Sequence, residues 1–401
     1  MNDVRLKDDI FWVGVNDRTT DLFEGLWPID GVGISYNSYV IKDQKNVLVD
    51  LSRGFKTDEF FDQISRIIDL SQLDYVIVNH MEPDHTGVLR TLRMINDRFE
   101  IICTQKAVKM LQDYYGINHN VRVINEGEVI DTGNHQLQFF NVPFVHWPET
   151  MVTFDKSTGI LFSCDAFGGY GALQGAFFED EYGDLSYYEK ESLRYYANIV
   201  AKFSTPVLNA ISKLGGLDIS MIAPSHGLIW RKDPGRIVEL YKKWAQSCTT
   251  GGDKGITLLY GSMYGNTEAM MNAVAQGISD GGLTPEIFDV ARTHSSYILP
   301  FLLKNKGVVI GAPTYEVSLF PYMQQILEKA SLKNIRNKKA VYFGSYGWSK
   351  GAFKKVQQMT SEIQWEITEG LEFPGKVTPE LFNSGYELGK RFATDIVNLF
   401  S

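Results

Sequence analysis

His80-Met81-Glu82-Pro83-Asp84-His85 places four potential metal ligands within six residues. It follows the apolar run 75–79, a pattern that predicts a strand ending in a loop where side chains can converge. Two imidazoles and two carboxylates form a mixed nitrogen and oxygen set, which suits iron or manganese redox chemistry as well as zinc hydrolysis. Because no cysteine is nearby, a structural zinc site is disfavoured. The remaining ligands must come from other parts of the chain.

Three further candidate ligands each follow a predicted strand: His146 after 136–142, Asp165 after 159–163, and His226 after the run beginning at 221. Strands of one sheet can present their ends to a common cleft, so we expect these side chains to meet there. Two carboxylates as close as Glu82 and Asp84 would repel each other unless a cation or protons intervened. Seven ligands suit two ions that have three terminal ligands each and share one bridging carboxylate. The pattern therefore predicts a binuclear metal site.

The chain has 401 residues, more than one hydrophobic core usually holds, so two domains are expected. The stretch 244–255, which is small and polar from 249 onward, is predicted to be a linker. We therefore expect domains at 1–250 and 255–401. In the first, the patterns predict strands at 9–15, 33–41, 46–51, 74–80, 121–124, 136–142 and 159–163, and helices at 57–70, 106–115 and 187–214.

The second part has a plainer alternation. Strands are predicted at 256–261, 286–290, 307–311, 340–344 and 365–369, and helices begin near 267, 297, 321, 351 and 379. Five strands that alternate with five helices predict an α/β fold with a doubly wound parallel sheet. In such a sheet, ligands bind at the carboxyl ends of the strands.

The loops after three of these strands favour a flavin mononucleotide. The first, Ser262-Met263-Tyr264-Gly265-Asn266-Thr267, opens a helix and offers backbone N–H groups and hydroxyls to a phosphate. Two others, Pro313-Thr314-Tyr315-Glu316 and Ser345-Tyr346-Gly347-Trp348, offer aromatic side chains between which a flat ring could lie. No Gly-x-Gly-x-x-Gly follows the first strand, which disfavours a dinucleotide.

Composition excludes several classes of protein. The net charge of -9 argues against a nucleic-acid partner, since phosphate binding needs a positive surface. The start, 1–9, has no apolar core of signal-peptide length, and no stretch approaches the roughly 20 apolar residues of a membrane span. We therefore expect a cytoplasmic protein without a membrane partner. Cys103, Cys164 and Cys248 form no Cys-x-x-Cys pair, which excludes a rubredoxin or iron–sulfur module in this chain, and we expect buried, inert thiols.

The pattern His-x-Glu-x-Asp-His, followed by His, Asp and His at strand ends, resembles the metallo-β-lactamase fold and specifically its flavodiiron branch, the A-type flavoproteins. The three loops of the second part resemble flavodoxin. Hydrolytic members of that fold usually carry a histidine where this chain has Glu82. A carboxylate lowers the net charge of the site and favours higher oxidation states of iron. The resemblance implies an N-terminal metallo-β-lactamase-like αββα sandwich followed by a flavodoxin-like five-stranded sheet.

The resemblance also implies roles for the candidate residues. His80, Glu82 and His146 would hold one iron, Asp84, His85 and His226 would hold the other, and Asp165 would bridge them. His85 is the ligand that a solvent molecule could replace. No side chain need act as a nucleophile. Tyr195 resembles a family residue near the metals, and Glu24 and Tyr170, which stand where some relatives carry histidine, are expected to line the same pocket.

The implied activity is reduction of O2 to water, of NO to N2O, or both, with electrons relayed through FMN. Because this sequence ends directly after its last predicted helix, the expected donor is external: a separate rubredoxin, or in the alternative a reduced deazaflavin. Similar proteins bring FMN to the irons by head-to-tail pairing, so a homodimer or homotetramer is expected. Two alternatives remain. One is a binuclear zinc hydrolase fused to a flavodoxin-like module, and the other is an electron carrier or redox sensor with a vestigial metal site.

Overall fold

The structure is a computed structural model that describes residues 4–7 and 9–401. The N-terminal stretch 1–9, where we expect no leader, lies partly outside these residues. The chain divides into two compact units, one built from its first 196 residues with 205–242 and the other from 197–204 with 243–401. The predicted domain limits, 1–250 and 255–401, remain a proposal about which parts fold independently.

Two sheets form the core of the first unit. The larger is mixed and runs, from edge to edge, through Val4–Lys7, Ile10–Trp12, Tyr39–Ile41, Asn46–Val49, Leu73–Ile77, Glu100–Cys103 and Val121–Val123. The smaller runs through Val129–Asp131, Gln136–Asn141, Met151–Asp155, Ile160–Cys164 and Met221–Pro224. Short antiparallel pairs join Val15–Asp17 to Ile34–Tyr36 and Leu22–Phe23 to Trp27–Pro28.

The two sheets contact each other through buried side chains. The ring of Tyr39 lies 5.2 Å from that of Phe162, and its hydroxyl donates to the carbonyl of Pro224 at 2.7 Å. The α-helices of this part are Thr57–Ser65, Pro83–Thr86, Leu89–Ile95, Gln105–Tyr115, Ser186–Tyr195, Ser204–Leu214 and Pro234–Thr250. Short 3-10 turns lie at Gly54–Lys56, Leu70–Gln72, Glu179–Glu181 and Ala201–Phe203, and a π-helical turn lies at Tyr196–Val200. The predicted αββα sandwich is confirmed.

The second unit contains one parallel sheet. Its strands lie in the order Glu286–Asp289, Asp253–Tyr260, Asn305–Gly311, Lys339–Tyr346 and Glu366–Pro374. In chain order this is 2-1-3-4-5, the order of a flavodoxin-like doubly wound sheet, as predicted. Its helices are Asn266–Asp280, Ser295–Lys304, Pro321–Leu332, Ala352–Glu362 and Pro379–Asn398, and a small hairpin pairs Thr314–Tyr315 with Ser318–Leu319.

The linker prediction for 244–255 was wrong over most of its length. The helix Pro234–Thr250 continues through it, and the strand Asp253–Tyr260 begins three residues later. Trp244, Ala245 and Cys248 are buried at helical spacing, and the hydroxyl of Ser247 donates back to the carbonyl of Lys243 at 3.0 Å. The small polar side chains can therefore form their hydrogen bonds with the backbone of the helix itself. Only 251 and 252 form the turn, and both are glycines with positive φ.

Several element boundaries also differ from prediction. The predicted strand at 33–41 is two strands in different sheets, because Asn37 and Ser38 turn the chain between them. The predicted helix at 57–70 ends at Ser65, and the helical region 187–214 is interrupted at Tyr196–Val200. The helix Leu89–Ile95 and the strands Val129–Asp131 and Met151–Asp155 were not predicted.

The described helices do not include a membrane span. Each of them is too short or too polar to cross a bilayer.

A buried lysine should stabilise the second unit. The Nζ of Lys338 donates to the carbonyls of Gly251, Leu303 and Asn305 at 2.6, 3.0 and 2.8 Å, and burial lowers its pKa to about 7. The substitution Lys338→Met leaves three buried carbonyls unpaired, so we expect the free energy of unfolding to fall by about 3 kcal/mol in chemical denaturation. Lys339→Met is the control, because Lys339 is partly exposed and pairs with the exposed Glu366, so its loss should change stability by about 0.5 kcal/mol. Equal effects of the two substitutions would contradict this role.

Candidate metal centre and cofactor cavity

The seven candidate ligands come from four loops, each of which follows a strand. The first loop follows Leu73–Ile77 and continues into the short helix Pro83–Thr86. The other three follow Gln136–Asn141, Ile160–Cys164 and Met221–Pro224, and they carry His146, Asp165 and His226. The strand ends thus bring all seven side chains together. Six of the seven residues are buried, and the side chain of Glu82 is 13% exposed.

Four of the side chains form the first group: His80, Glu82, His146 and Asp165. Oδ2 of Asp165 lies 3.4 Å from Nε2 of His80 and 3.2 Å from Nε2 of His146. Oε2 of Glu82 lies 3.3 and 3.1 Å from the same two nitrogens. The ligand atoms of this group all lie within 4.8 Å of one another.

The other oxygen of Asp165 faces a second group. Its Oδ1 lies 3.0 Å from Nε2 of His85 and 3.3 Å from Nε2 of His226. Asp84 completes this group, with its oxygens 3.4 Å from each of these nitrogens. Asp165 therefore directs one oxygen to each group, which is the placement that a bridging carboxylate requires.

These distances fit two metal ions. With metal–ligand bonds of about 2.1 Å, neighbouring ligand atoms around one ion lie roughly 3.0 to 3.4 Å apart. Both oxygens of Asp84 and of Asp165 are buried without a hydrogen bond among the described residues, as are both ring nitrogens of His85 and Nε2 of His226. Buried polar atoms are normally paired, so this concentration of unpaired atoms indicates cation sites. The individual ligand assignments remain predictions.

The charges inside the site support the same conclusion. Burial by itself lowers the pKa of an imidazole, but the neighbouring carboxylates outweigh it here: they raise the pKa of His80 and His226 to about 10 and of His85 and His146 to about 9. Burial would raise the pKa of Glu82 and Asp165, yet the imidazoles hold both well below their usual range. Without metal, protons supply the positive charge that the carboxylates need, and metal ions would displace them.

Aromatic side chains enclose the second group. The rings of Phe23, Tyr36 and Tyr195 lie 5.8, 5.6 and 5.6 Å from that of His226. The hydroxyl of Tyr195 is buried and has no hydrogen bond to the described residues. On the other side, the ring of Trp147 meets His80 edge-on at 5.0 Å. Tyr36 and Trp147 were not predicted to lie here, although Trp147 directly follows a predicted ligand.

The other two predicted pocket residues, Tyr170 and Glu24, adjoin these aromatic side chains. The ring of Tyr170 contacts Phe23 at 5.7 Å and Tyr195 at 5.2 Å, with the guanidinium of Arg194 4.4 Å above it. Glu24 sits at the turn of the hairpin that carries Phe23, and its Oε2 accepts from the indole of Trp27 at 3.1 Å. Both therefore support the aromatic wall and belong to its outer layer.

All three cysteines are buried, as predicted. Burial raises the pKa of each thiol, that of Cys103 to about 12. Cys164 lies within 4.8 Å of ligand atoms of His85 and Asp165. Burial raises the pKa of this thiol and therefore disfavours the thiolate form that binds a metal.

The second unit has a cavity of about 390 Å³ at the carboxyl ends of its strands. Of the predicted residues, Met263, Tyr264, Asn266, Pro313, Thr314, Tyr315, Glu316, Ser345, Tyr346, Gly347 and Trp348 line it. The hydroxyl of Ser262 accepts from the N–H of Gly265, and the hydroxyl of Thr267 shares a hydrogen bond with that of Ser345. Ser262, Gly265 and Thr267 therefore shape the loop without lining the cavity. Val317, Ser349 and Gly375 also line the cavity and were missed. Gly375 follows the fifth strand, so the same strand-end rule could have found it.

The cavity fits a flavin mononucleotide. Tyr264 and Trp348 are 88% and 83% exposed, unusual for large aromatic residues, and a planar ring bound between them would cover apolar surface. The helix Asn266–Asp280 begins directly after Gly265, which has a φ of 86°. Its first N–H groups have no partner within the helix and suit a phosphate.

The comparisons with known proteins agree with this geometry. A family model described as ODP family beta lactamase matches residues 34–227, and one described as Flavodoxin matches 258–388. The anaerobic nitric oxide reductase flavorubredoxin of Salmonella arizonae is 36% identical over 401 residues, which cover 98% of this chain and 81% of that protein.

Two solved structures are similar along their whole length. The flavodiiron protein from Giardia intestinalis superimposes with a TM-score of 0.94 at 26% identity, covering 99% of this chain and 97% of that one. A variant of the flavo di-iron protein from Thermotoga maritima has a TM-score of 0.89 at 31% identity, with 98% of each chain covered.

The raised pKa values predict how metal binding depends on pH. In the metal-free protein, each protonated imidazole stabilises the fold fully below its ordinary pKa of 6.5, and this contribution is lost as pH rises through about 9 to 10. Metal ions compete with those protons. Thermal denaturation with and without added ferrous iron, under argon, should therefore show a larger metal-induced shift near pH 8.5 than near pH 6. A shift of equal size at both values would contradict the displacement of protons.

The exposed aromatic residues of the cavity should control flavin affinity. Trp348→Ala removes a ring that can stack on the flavin, which is worth about 1 to 3 kcal/mol, so FMN should bind roughly 10- to 100-fold more weakly in a fluorescence titration. Tyr322→Ala is the matched control, since Tyr322 is also an exposed aromatic residue but does not line the cavity. Unchanged affinity in the Trp348 variant would exclude stacking at this position.

Proposed function

Since this chain belongs to the flavodiiron protein family, we propose that it is an oxidoreductase that reduces a diatomic gas at a di-iron centre with electrons relayed through FMN. Nitric oxide is the first candidate substrate, because relatives that are 36% identical over nearly the whole chain are named as nitric oxide reductases. Oxygen is the second. The observation that carries the proposal is the division of the ligands into two groups that share Asp165.

The bound groups would supply the electron chemistry, FMN as the electron relay and the two irons as the place where the gas is reduced. Reduction of two NO to N2O and water consumes two electrons and two protons, and reduction of O2 to two waters consumes four of each. The protein must therefore hold the metal ions, keep bulk water out and provide hydrogen bonds inside a buried pocket.

The side chains divide these tasks. His80, Glu82 and His146 would hold one iron, Asp84, His85 and His226 the other, and Asp165 both. The ring of Tyr195 lies 5.6 Å from that of His226, and its buried hydroxyl has no hydrogen bond among the described residues. Burial, then the charge of Asp165, raises the pKa of Tyr195 well above its ordinary value, so this hydroxyl keeps its proton and can donate a hydrogen bond.

Glu82 separates this proposal from a binuclear zinc hydrolase. A hydrolase needs one metal-bound water as a nucleophile, and a neutral imidazole at this position would leave the site more positive and that water more acidic. The carboxylate of Glu82 instead contacts both His80 and His146 and adds negative charge, which favours oxidised iron. An electron carrier would not need seven converging ligands.

The donor and the assembly complete the proposal. A rubredoxin-type protein is the proposed donor, with reduced deazaflavin as the alternative. Head-to-tail pairing of two copies is supported by exposed apolar side chains at both sites: Leu22 and Leu26 on the hairpin beside the metal pocket, and Tyr264, Val317 and Trp348 at the flavin cavity. Charge favours the same pairing, because residues 1–250 contain 34 acidic and 24 basic residues whereas 255–401 contain 13 and 14.

The substrate proposal is tested by turnover. The purified protein, analysed for metal and flavin, is reduced anaerobically and given NO or O2 in separate electrode experiments. We expect about two irons and one FMN per chain, and faster consumption of NO. Asp165→Asn should retain FMN but lose iron and activity, because an amide cannot bridge two cations, whereas Asp62→Asn on an exposed helix surface should behave as the parent. Two zinc ions with esterase activity, or no consumption of either gas, would overturn the proposal.

The pairing of copies has its own test. Leu26→Asp places a charge on the exposed side of the hairpin, and we expect it to shift sedimentation velocity toward monomer and to slow electron transfer from FMN to iron. Leu332→Asp, at an exposed leucine in the other unit, should leave both unchanged. A parent protein that sediments as a fully active monomer at high dilution would exclude this assembly.

A further inference from the structure

The outer nitrogens of the candidate ligand imidazoles have unequal partners. Nδ1 of His80 lies 2.8 Å from a carboxylate oxygen of Glu149. Nδ1 of His226 lies 2.7 Å from the backbone carbonyl of Ser35. Nδ1 of His85 is buried without a hydrogen bond among the described residues. A metal-binding histidine usually gives this N–H to a partner that orients the ring and raises its donor strength, and a carboxylate does so most strongly.

Glu149 is held rigidly in place. It is 2% exposed, and the oxygen that meets His80 also accepts from the N–H of Met81 at 3.0 Å. Its own carbonyl accepts from the hydroxyl of Thr104 at 2.9 Å, and the hydroxyl of Thr150 lies 3.4 Å from Nδ1 of His80. One oxygen of the carboxylate is thus held against the ring of His80, and the other, Oε2, is buried without a hydrogen bond among the described residues.

No equivalent carboxylate supports the second group. Asp50 is the buried acid whose charge acts on His85, but its oxygens accept from the N–H and side-chain amide of Asn79 at 2.8 and 3.0 Å and lie 3.4 Å from the hydroxyl of Ser225. They are therefore engaged elsewhere, and His85 keeps an unpaired nitrogen. Through His80 the first group therefore has a carboxylate hydrogen-bonded to one of its imidazoles, and among the described residues the second group has none.

We propose that Glu149 is a positioning residue that makes the two metal positions unequal. Through His80 it strengthens binding at the position formed with Glu82 and His146 and favours oxidised iron there. The position formed by Asp84, His85 and His226 gives up its metal first. This inference rests on the di-iron centre of the proposed function and is independent of which gas is reduced.

The unmodified holoprotein provides the first test. Under argon and after reduction, it is titrated with a ferrous chelator while iron and FMN remaining on the protein are counted. We expect the two irons to leave in two separate steps, with FMN retained throughout. Loss of both irons in a single step would overturn the proposal, and this measurement does not depend on any variant folding.

Glu149→Gln then separates charge from geometry, because its amide oxygen can still accept from His80 and Met81. We expect the tighter step to weaken by about 10- to 100-fold, and the midpoint potential of that iron to rise because a nearby negative charge is lost. The matched control is Glu126→Gln, which lines the same cavity as Glu149 and also accepts a backbone N–H, that of Asn141, but contacts no candidate ligand. If Glu149→Gln keeps both the affinity and the potential of the parent, Glu149 has only a structural role.

The outcome is distinguishable from failure of the proposed function. A protein that consumes neither NO nor O2 but releases iron in two steps, with the tighter step weakened in the Glu149→Gln variant, would refute the function and support the inference. A protein that consumes the gas but releases both irons in one step would support the proposed function and refute this inference.

Discussion

The burial of four imidazoles and three carboxylates in one place is the constraint on which the first unit depends. In a low-dielectric interior, carboxylates only 3 to 4 Å from the same nitrogens cannot coexist without positive charge between them. Metal ions supply that charge, and protons on the imidazoles substitute when metal is absent. The site therefore stabilises the fold only while metal ions or imidazole protons supply positive charge, and the surrounding structure must hold the ligands in place.

Hydrogen bonds between the loops provide this rigidity. The N–H of Leu51 donates to the carbonyl of His85 at 3.0 Å, and the amide of Asn37 donates to the carbonyls of Pro224 and Gly227, both at 2.9 Å. The N–H of Met151 donates to the carbonyl of Asn79, which ties the smaller sheet to the loop of the larger one. These bonds fix the loops that carry His85, His146 and His226 to neighbouring backbone, so the ligand groups are preorganised and one metal position can differ from the other.

The flavin cavity differs from the metal site in its exposure to solvent. It is open, and its largest aromatic side chains are exposed, whereas the metal ligands are buried. Exposed aromatic side chains and a helix N-terminus suit a cofactor that is held by stacking and by backbone N–H groups, and the cavity lining contains no lysine or arginine. In the proposed head-to-tail assembly, the exposed apolar side chains at both sites would form the contact surface between the two copies.

The sequence by itself determined the fold class, the seven candidate ligands and most of the cavity, because each of these features is local: ligands and loops directly follow apolar strands. It did not reveal Glu149, Ser35 or Tyr36, which contact His80 and His226 from distant parts of the chain. It also predicted a linker where the helix Pro234–Thr250 ends, because hydroxyl side chains can form their hydrogen bonds in a helix as well as in a loop. Only the tertiary structure decided which oxygen of Asp165 faces which group and which imidazole receives a carboxylate. Those relations depend on distances between residues far apart in sequence, and no local pattern encodes them.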